Sequence, residues 1–476
     1  MRTPAPGRGS RATSAQSDLV VVANRLPIYA VESPGTAEWA LSPGGLVSAL
    51  LPVLRARGGI WIGWSGRSNV PAVPSPYDGI ELKAVDLNDE EYGDFYLGFA
   101  NATLWPLYHD AIRASTFERA WWHAYGTVNR RYAEAAAEVA APGATIWIHD
   151  YQLQLVPKLL RTLRPDLRIG FFLHIPFPPQ ELFMQLPWRR DIIEGLLGAD
   201  LVGFQVPGAA SNFARLARRL VGATGTDAML RFEDRPVRVG AFPISVDTVH
   251  LISRAADPAV QVRAQEIRTE LGDPECIMLG VDRLDYTKGI DRRLKAIGEL
   301  FAEGTLMPSR HVMVQIAVPS RDADPHYQRE REHLEMLISE INGAHATVGH
   351  PAVHYLHQNM PLDELVALYL AADVMLVTPL RDGMNLVAKE YVACRIDATG
   401  SLVLSEFAGA AQELQAAILV NPHDLDGLKG AIRHALDIDP AEAMARMRRL
   451  RRFVRRRDVH VWAQGFLAAL QHPEKQ

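Results

Sequence analysis

Two cations and two carboxylates follow apolar stretches of this chain, at points where a predicted strand gives way to a polar turn. Arg283 and Lys288 lie five residues apart after one such stretch, a spacing suited to gripping a diphosphate. Asp382 and Glu390 follow another, and each carboxylate can accept hydrogen bonds from sugar hydroxyls. The pattern indicates a site for a phosphorylated sugar, with solvated surface charges as the alternative.

The turn between these two carboxylates has the residues that begin a helix. Gly383 lies in the turn, Asn385 is a good N-cap residue, and good helix formers follow it. A helix that begins directly after a strand offers free backbone N–H groups and the positive end of its dipole. Such a helix start binds phosphate readily, although an ordinary strand–turn–helix connection fits the same residues.

Polar residues also follow the apolar runs in the first half of the chain. Arg25 comes after the run that ends at residue 23, Asp150 after the run that ends at residue 148, and His174 after the run that ends at residue 173. In an open parallel α/β sheet, ligands bind outside the carboxyl ends of the strands. We therefore expect these three residues at a ligand-facing edge, although surface residues and loop residues that cap neighbouring helices would show the same pattern.

Glycines and aromatic residues of the first half offer further ligand contacts. Gly44 and Gly45 precede an apolar helix, and paired glycines at a helix start let the backbone approach a ligand closely. A plain turn is the commoner explanation for two glycines. Tyr96 and Trp105 belong to an aromatic-rich stretch, most of which is expected in the core, but rings beside polar groups also form sugar-binding walls.

Strand-like and helix-like segments alternate along the whole chain. At 476 residues it is too long for one core, so two domains are expected. The alternation in both halves predicts two doubly wound α/β domains with a ligand cleft between them. We expect a disordered tail at 1–17, an N-terminal domain at 18–243 and a C-terminal domain at 244–458, with a final helix at 459–476 packed back on the N-terminal domain.

Composition excludes several classes of protein. The net charge of −5, from 50 basic and 55 acidic residues, gives no overall basic field for nucleic acid. Cys276 and Cys394 form neither a disulfide framework nor a zinc spacing, which fits a reducing cytoplasm. No apolar run is long enough for a membrane span, and the tail lacks the apolar core of a signal peptide. We therefore expect a cytoplasmic protein that binds small molecules.

Motifs of other nucleotide-binding and metal-dependent enzymes are missing from the sequence. It contains no P-loop, no full dinucleotide-binding fingerprint after the first strand and no His-Glu-x-x-His motif. Asp322 and Asp324 could hold a divalent cation, but a solvated loop beside Arg321 is the favoured interpretation. The basic run at 446–457 is interpreted as a solvated helix face. An anion-binding, sugar-compatible cleft without an obvious metal remains.

Taken together and in order, these stretches resemble the trehalose-6-phosphate synthases, retaining glycosyltransferases of family 20. The resemblance extends from about residue 19 to about residue 470 and is specific in its combination of motifs. The stretches that carry it are Asn24-Arg25, Pro43–Leu46, Trp61–Gly66, Leu104-Trp105-Pro106, Trp147–Tyr151, Phe171–Pro178, Arg283–Gly289 and Thr378–Tyr391.

The resemblance implies a fold and a reaction. The fold is GT-B, with two facing Rossmann-like doubly wound domains and an active-site cleft between them. The reaction transfers glucose from a nucleoside diphosphate glucose, with UDP-glucose as the expected donor, to glucose 6-phosphate. The product is α,α-trehalose 6-phosphate, formed with retention by a same-face, internal-return mechanism. No metal and no cofactor are implied.

The resemblance also implies a role for each candidate residue. The expected acceptor contacts are Arg25, Tyr96, Trp105, Asp150 and Arg321. The expected donor contacts are Gly44, Gly45, His174, Arg283, Lys288, Met360, Asp382, Leu386, Val387, Ala388, Lys389 and Glu390. Of these, the catalytic residues are expected to be Asp150, His174, Arg283 and Lys288. Met360 replaces an aromatic residue of some relatives, which leaves the choice among UDP, ADP and GDP open.

Two alternatives remain beside this hypothesis. One is a related GT-B enzyme with another acceptor, or a pseudo-glycosyltransferase that joins cyclitols. The other is a non-catalytic sugar-phosphate sensor. The full set of donor and acceptor residues favours the synthase over both. The expected partners are small-molecule substrates, with no nucleic acid and no membrane, and assembly of the chain into a dimer or tetramer is left open.

Overall fold

A computed structural model of the chain describes residues 16–33, 36–42, 45–67, 73–321 and 324–471. Within these ranges the strands are β1 (Ser17–Arg25), β2 (Ile28–Ser33), β3 (Thr36–Leu41), β4 (Ile60–Trp64), β5 (Glu81–Ala84), β6 (Ala140–His149), β7 (Arg168–Phe172), β8 (Leu201–Phe204), β9 (Thr224–Gly225), β10 (Met229–Phe232), β11 (Arg235–Ala241), β12 (Cys276–Arg283), β13 (His311–Val318), β14 (Val353–Leu356), β15 (Val374–Val377), β16 (Ser401–Ser405) and β17 (Ile418–Val420).

The α-helices in the same ranges are α1 (Gly45–Arg57), α2 (Asp89–Glu91), α3 (Trp105–Tyr108), α4 (Arg119–Val139), α5 (Val156–Leu163), α6 (Gln180–Phe183), α7 (Arg189–Leu197), α8 (Pro207–Val221), α9 (Thr248–Ala255), α10 (Pro258–Glu270), α11 (Ile290–Ala302), α12 (Pro325–His345), α13 (Leu362–Ala371), α14 (Leu386–Cys394), α15 (Leu425–Asp437), α16 (Pro440–Arg456) and α17 (Val459–Gln471). A π-helix covers Tyr92–Leu104. No helix in the described part of the chain is long and apolar enough to cross a membrane.

The first half of the chain builds one sheet, in the order β5-β4-β1-β6-β7-β8-β11-β10-β9. Its strands pair in parallel from β5 to β11, and β10 and β9 continue the edge in antiparallel fashion. At its centre Val20 pairs with Ile60 on one side and Ile146 on the other. Helices cover both faces of such a sheet, which explains why the β1 sequence is a continuous apolar run.

The second half builds a separate sheet, in the order β14-β13-β12-β15-β16-β17. Its strands are all parallel in the described residues. The strand predictions around 276–281, 311–318, 353–356, 374–377 and 401–404 are confirmed. Four of these runs are buried almost throughout, whereas β14, at the edge of the sheet, fully buries only Val353.

The last helix, α17, returns to the first sheet. The Phe466 ring stacks on Trp147 of β6 with ring centres 4.9 Å apart. Beside it, β7 and β8 carry Gly170 and Gly203, where an added Cβ would lie 2.8 Å and 2.6 Å from the Phe466 ring. The glycines thus let the helix approach the strands closely. Nearby, the Val459 N–H donates to the Val246 carbonyl at 3.1 Å, so the two chain segments that join the halves touch each other.

Some local features differ from the prediction. The expected tail at 1–17 lies outside the described residues up to residue 15, but Ser17 already begins β1 and pairs with Ala140. The Ser17 hydroxyl accepts the Leu19 N–H and donates to the Leu19 carbonyl, which holds this strand end in place. Residue Asp322 lies outside the described residues, whereas Asp324 is the N-cap of α12.

Candidate active site

The predicted site residues of both halves meet in one cleft. Strand β1 ends at Arg25 and β12 at Arg283, and Asp150 and His174 follow β6 and β7. The carboxyl ends of parallel strands lie along one edge of each sheet, and these two edges face each other. Contacts cross the cleft: Arg321 Nη2 donates to the Tyr151 hydroxyl at 3.1 Å.

Two further contacts close the cleft around the turn before α14. The Gly383 backbone lies against the His174 carbonyl so closely that a Cβ at Gly383 would overlap it. Arg381 forms an ion pair with Asp110 at 3.1 Å, and both side chains are partly exposed. The turn that the sequence assigns to a donor sugar therefore touches the first half of the chain directly.

Arg321 is held in place by buried polar groups. Its Nη1 donates to Asp285 Oδ2 at 3.4 Å and to the Tyr327 hydroxyl, and its guanidinium carbon lies 4.1 Å from the centre of the Trp105 ring. Burial alone would lower the pKa of Arg321, but Tyr327, Tyr151 and Asp285 hold it well above its usual value. The guanidinium therefore stays charged and is oriented for an anion.

Arg25 lies on the aromatic wall of the same pocket. Its guanidinium carbon is 4.4 Å from the Trp64 ring centre and 5.4 Å from the ring centre of Tyr96, which the π-helix positions. Burial raises the pKa of Tyr96, but the charges of Arg25, Arg321 and Arg283 outweigh it and leave the pKa below its ordinary value. Arg25 and Arg321 thus lie on two rings of one aromatic wall, over Tyr96 and over Trp105.

Asp150 and His174 lie at the centre of the cleft. Asp150 has a φ of 74°, and its Oδ1 accepts the His174 N–H at 3.2 Å. Burial raises the pKa of Asp150 to about 6, although backbone N–H groups and Arg283 oppose the shift. His174 Nε2 lies 3.0 Å from His149 Nδ1, and burial lowers the pKa of His174 to about 3.

On the predicted donor side, an ammonium group and an amide group donate to the same carboxylate oxygen. Lys288 Nζ donates to Asp382 Oδ2 at 2.6 Å, and Asn385 Nδ2 donates to the same oxygen at 3.2 Å. Burial raises the pKa of Asp382, but Lys288 outweighs it and holds the pKa below the ordinary value. Arg283, the other predicted clamp residue, lies over the Trp105 ring with its guanidinium carbon 5.4 Å from the ring centre.

The start of α14 follows the predicted capping pattern. Asn385 is the N-cap with a φ of 80°, and its Oδ1 accepts the Ala388 N–H at 3.1 Å. The Ala388 N–H is therefore already engaged, which leaves the N–H groups of Leu386 and Val387 in the first turn as the ones suited to a phosphate.

The remaining predicted donor residues differ in what their side chains do. Lys389 is placed among the donor contacts by the sequence, but its Nζ donates to Glu413 and to the Ile244 carbonyl, each at 2.6 Å. Its backbone alone remains for that role. Glu390 accepts a hydrogen bond from the Tyr369 hydroxyl at 2.9 Å, and burial raises its pKa.

The other two predicted donor contacts are simpler to place. Met360 is half-buried beside the second sheet. Gly45 is the first residue of α1, whereas Gly44 lies outside the described residues.

Several residues of the site were not singled out from the sequence. Asp285 and Tyr151 lie inside motifs that carry the resemblance, and those motifs could have identified both as site residues. His149 directly precedes Asp150 and could have been found as the last residue of its strand. Tyr327 lies on α12 with no motif around it, and its role follows from packing alone.

The described residues also offer no evident metal site. Among them, no group of three or more His, Cys, Asp or Glu side chains could hold a metal ion.

Comparison with known proteins identifies the family of this cleft. The profile of Glycosyltransferase family 20 matches residues 17–472. The chain belongs to glycosyltransferase family 20. A family 20 relative, the trehalose-6-phosphate synthase of Mycolicibacterium smegmatis, is 57% identical over 475 residues, which covers 98% of this chain and 94% of the relative. The Mycobacterium tuberculosis protein of the same name is 57% identical over 484 residues, covering 98% of this chain and 97% of the relative.

Solved structures of family 20 share the whole architecture. The α,α-trehalose-phosphate synthase (UDP-forming) of Burkholderia xenovorans, in complex with glucose-6-phosphate, is similar with a TM-score of 0.87 and 34% identity, covering 95% of this chain and 99% of that one. An E. coli structure bound with UDP-2-fluoro glucose has a TM-score of 0.87 and 34% identity, covering 95% and 98%. The predicted GT-B fold, with two Rossmann-like halves, is thereby confirmed, and the chain is a glycosyltransferase.

Proposed function

We propose that this chain transfers glucose from UDP-glucose to glucose 6-phosphate, releasing UDP and forming α,α-trehalose 6-phosphate with retention. The observation that carries the proposal is the presence of two separate anion sites in one cleft. One is the pocket where Arg25 lies over the Tyr96 ring and Arg321 over the Trp105 ring. The other is the start of α14 beside Lys288 and Asp382. Two phosphorylated substrates need two such sites.

The first anion site suits a hexose phosphate as acceptor. Guanidinium groups bind phosphate through paired N–H donors, and Arg321 is held rigid by Tyr151, Tyr327 and Asp285. The ring of Trp105, which stacks under Arg321, offers an apolar wall for the sugar. Asp150, whose Oδ1 accepts the His174 N–H, would also accept a hydrogen bond from the acceptor hydroxyl that reacts.

The second site suits the leaving nucleoside diphosphate. Arg283 and Lys288 would neutralise negative charge that develops on the diphosphate as the glycosidic bond breaks, which lowers the barrier electrostatically. These cations supply the charge for which other enzymes use a metal ion, so the proposed reaction needs no metal or cofactor. A diphosphate oxygen on the same face then helps to deprotonate the attacking hydroxyl, as in an internal-return mechanism.

Each of the two sheets belongs to a domain that binds one substrate. We infer an N-terminal acceptor domain at 18–243 and a C-terminal donor domain at 244–458, with the final helix returning to the first. Two relatives at 57% identity are both named trehalose-6-phosphate synthase. Their shared name does not favour the two alternative hypotheses, an enzyme with a different acceptor and a non-catalytic sensor. The free, buried thiols of Cys276 and Cys394 fit a protein of the reducing cytoplasm.

The decisive test is a product assay. The purified protein is mixed with glucose 6-phosphate and, in turn, UDP-, ADP- and GDP-glucose, with and without EDTA, and trehalose 6-phosphate is detected by mass spectrometry. We expect product from UDP-glucose in both conditions and little with unphosphorylated glucose as acceptor. No product from any of the donors would overturn the proposal, and loss of product with EDTA would overturn its metal-independent form.

A further inference from the structure

Two histidines share one hydrogen bond at the centre of the cleft. His149 ends β6 and is fully buried, with its ring centre 4.7 Å from that of Trp147 and 6.5 Å from that of Phe172. His174 follows β7 and is half-buried. Their nitrogens His149 Nδ1 and His174 Nε2 are 3.0 Å apart, so one ring must donate a hydrogen to the other.

Both rings are neutral at ordinary pH, which limits the hydrogens available. Burial, and then the neighbouring His174, hold the pKa of His149 well below its ordinary value, and burial does the same for His174. A neutral imidazole carries one N–H and one bare nitrogen. Each choice of donor therefore fixes the hydrogen positions on all four ring nitrogens.

The second ring nitrogen of His149, Nε2, shows which of the two histidines is the donor. This nitrogen is buried and has no hydrogen-bond partner among the described residues. If His174 were the donor, His149 would carry its hydrogen on this Nε2, and a buried N–H would be left unpaired. If His149 is the donor, Nε2 is a bare nitrogen. Buried N–H groups without a partner are rarer in proteins than buried acceptors without one, so the second arrangement is favoured.

We propose that His149 is a positioning residue that donates its Nδ1–H to His174 Nε2, so that His174 presents a protonated Nδ1 to the donor sugar. The role of His174 toward the sugar rests on the proposed function; the direction of the hydrogen bond does not. The half-buried His174 then acts on a sugar hydroxyl as a hydrogen-bond donor. Asp382, which precedes the Gly383 that lies against the His174 carbonyl, can act on a sugar hydroxyl as an acceptor. His149 sets this role without touching the substrate.

Nitrogen NMR on the ligand-free protein tests the hydrogen positions directly. The protein is labelled with ¹⁵N-histidine, and the His149 and His174 signals among the 16 histidines are assigned with the variants His149→Asn and His174→Asn. We expect the Nδ1–H tautomer for both rings. An Nε2–H tautomer for His174, with the His149 Nε2–H directed at the Trp147 ring, would overturn the proposal whether or not the protein makes trehalose 6-phosphate.

Kinetics of two His149 variants test the consequence for the donor. His149→Leu removes the hydrogen bond, whereas His149→Asn keeps an N–H donor near the position of Nδ1. We expect His149→Leu to lower kcat/KM for UDP-glucose about tenfold, as for one lost hydrogen bond, and His149→Asn to restore most of it. The affinity for UDP and the KM for glucose 6-phosphate should change little in both variants.

The pattern of losses separates this role from general damage to the fold. Weaker UDP binding and weaker use of glucose 6-phosphate, in parallel with the loss for UDP-glucose, would show that His149 merely supports the fold and would overturn the positioning role. Equal activity of the Leu variant and the unmodified protein would do the same. If the Leu variant does not fold, the Asn variant and the NMR measurement still decide the question.

Discussion

At the scale of single residues, two ion pairs of the cleft are largely buried. The side chains of Arg321 and Asp285 are 3% and 0% exposed, and those of Lys288 and Asp382 are 11% and 14% exposed. Such pairs are strongly oriented, and removing one partner leaves the other charge buried without compensation. Single substitutions here are therefore expected to affect one substrate selectively.

Arg321→Ala is expected to impair use of glucose 6-phosphate far more than use of UDP-glucose. The change removes a charged, forked donor from the acceptor pocket, which corresponds to roughly 2–3 kcal/mol or about a hundredfold in kcat/KM for glucose 6-phosphate. Arg321→Lys keeps the charge but not the fork and should recover only part of the loss. Steady-state kinetics with each substrate varied, together with UDP titration, measure this. Equal losses for both substrates would contradict the assigned role.

Asp150→Asn is expected to stabilise the fold at neutral and higher pH while it abolishes most activity. Burial raises the pKa of the Asp150 carboxyl from 3.8 to about 6. Between these values the folded state binds more protons than the unfolded state, so the carboxyl contributes stability below 3.8 that is lost as pH rises through about 6. The amide side chain of the Asp150→Asn variant is neutral at every pH, so the variant does not lose this stability as the pH rises.

Thermal unfolding across a pH series checks this expectation. The variant should melt a few degrees above the unmodified protein at about pH 8, and the difference should shrink as the pH falls through about 6. Glu118→Gln, at an exposed carboxyl before α4, provides a control that should show no such trend. A difference that is independent of pH, or a lower Tm for the variant at about pH 8, would count against a raised pKa.

At the scale of elements, the strand–turn–helix from β15 to α14 is the central unit of the proposed donor side. The turn brings Asp382 to Lys288, and the cap at Asn385 orients the first N–H groups of α14. In the same helix, Lys389 Nζ donates hydrogen bonds to Glu413 and to the carbonyl of Ile244, which lies in the segment that joins the two halves. A phosphate bound at the helix start, as proposed, would thus be linked through one short helix to the segment that connects the sheets.

Two substitutions of Asn385 distinguish the stability that comes from its side-chain cap from the cost of its positive φ. Asn385→Ala loses the cap, at about 1 kcal/mol, and also places an alanine at a φ of 80°, which costs roughly 1–2 kcal/mol more. Asn385→Gly loses the cap but tolerates the backbone, so it should melt between the Ala variant and the unmodified protein. Both variants should bind UDP more weakly by calorimetry. Identical melting temperatures for Ala and Gly would show that the positive φ carries no cost.

At the scale of the whole molecule, the chain crosses between its halves twice, and α17 closes the second crossing by packing on the first sheet. Phe466 lies against Trp147, Phe172 and the two strand glycines. Phe466→Ala is expected to lower the free energy of unfolding by about 3–5 kcal/mol, because it leaves a cavity between helix and sheet. Val461→Ala, at a residue of α17 that is 51% exposed, should stay within about 0.5 kcal/mol.

Urea unfolding, followed by tryptophan fluorescence and by limited proteolysis of α17, compares the two α17 variants. Trp147 and Trp462, two of the nine tryptophans, lie beside Phe466 or on the same helix, so part of the fluorescence signal reports on this contact. Similar midpoints for Phe466→Ala and Val461→Ala would mean that α17 adds little to the first sheet.

What the sequence determined by itself is local. The buried parallel strands are continuous apolar runs, and the polar residues that follow them had to appear at the ligand-facing edges, because strand ends and sheet edges coincide in this kind of fold. The Asn385 cap could likewise be predicted from the sequence, because an N-cap residue directly precedes a run of good helix formers. The clamp role of Arg283 and Lys288 stays a prediction. The family resemblance then assigned roles that spacing leaves open.

What only the tertiary structure decided is which distant side chains become neighbours. Tyr327 contacts Arg321 and Asp285, and His149 contacts His174, because the packing of separate elements sets these distances. For the same reason the Lys389 ammonium binds Glu413 and not the proposed donor site. The raised pKa of Asp150 depends on burial, which spacing does not contain. Chemistry at a strand end is predictable from the chain, whereas orientation, burial and charge state depend on packing across the cleft.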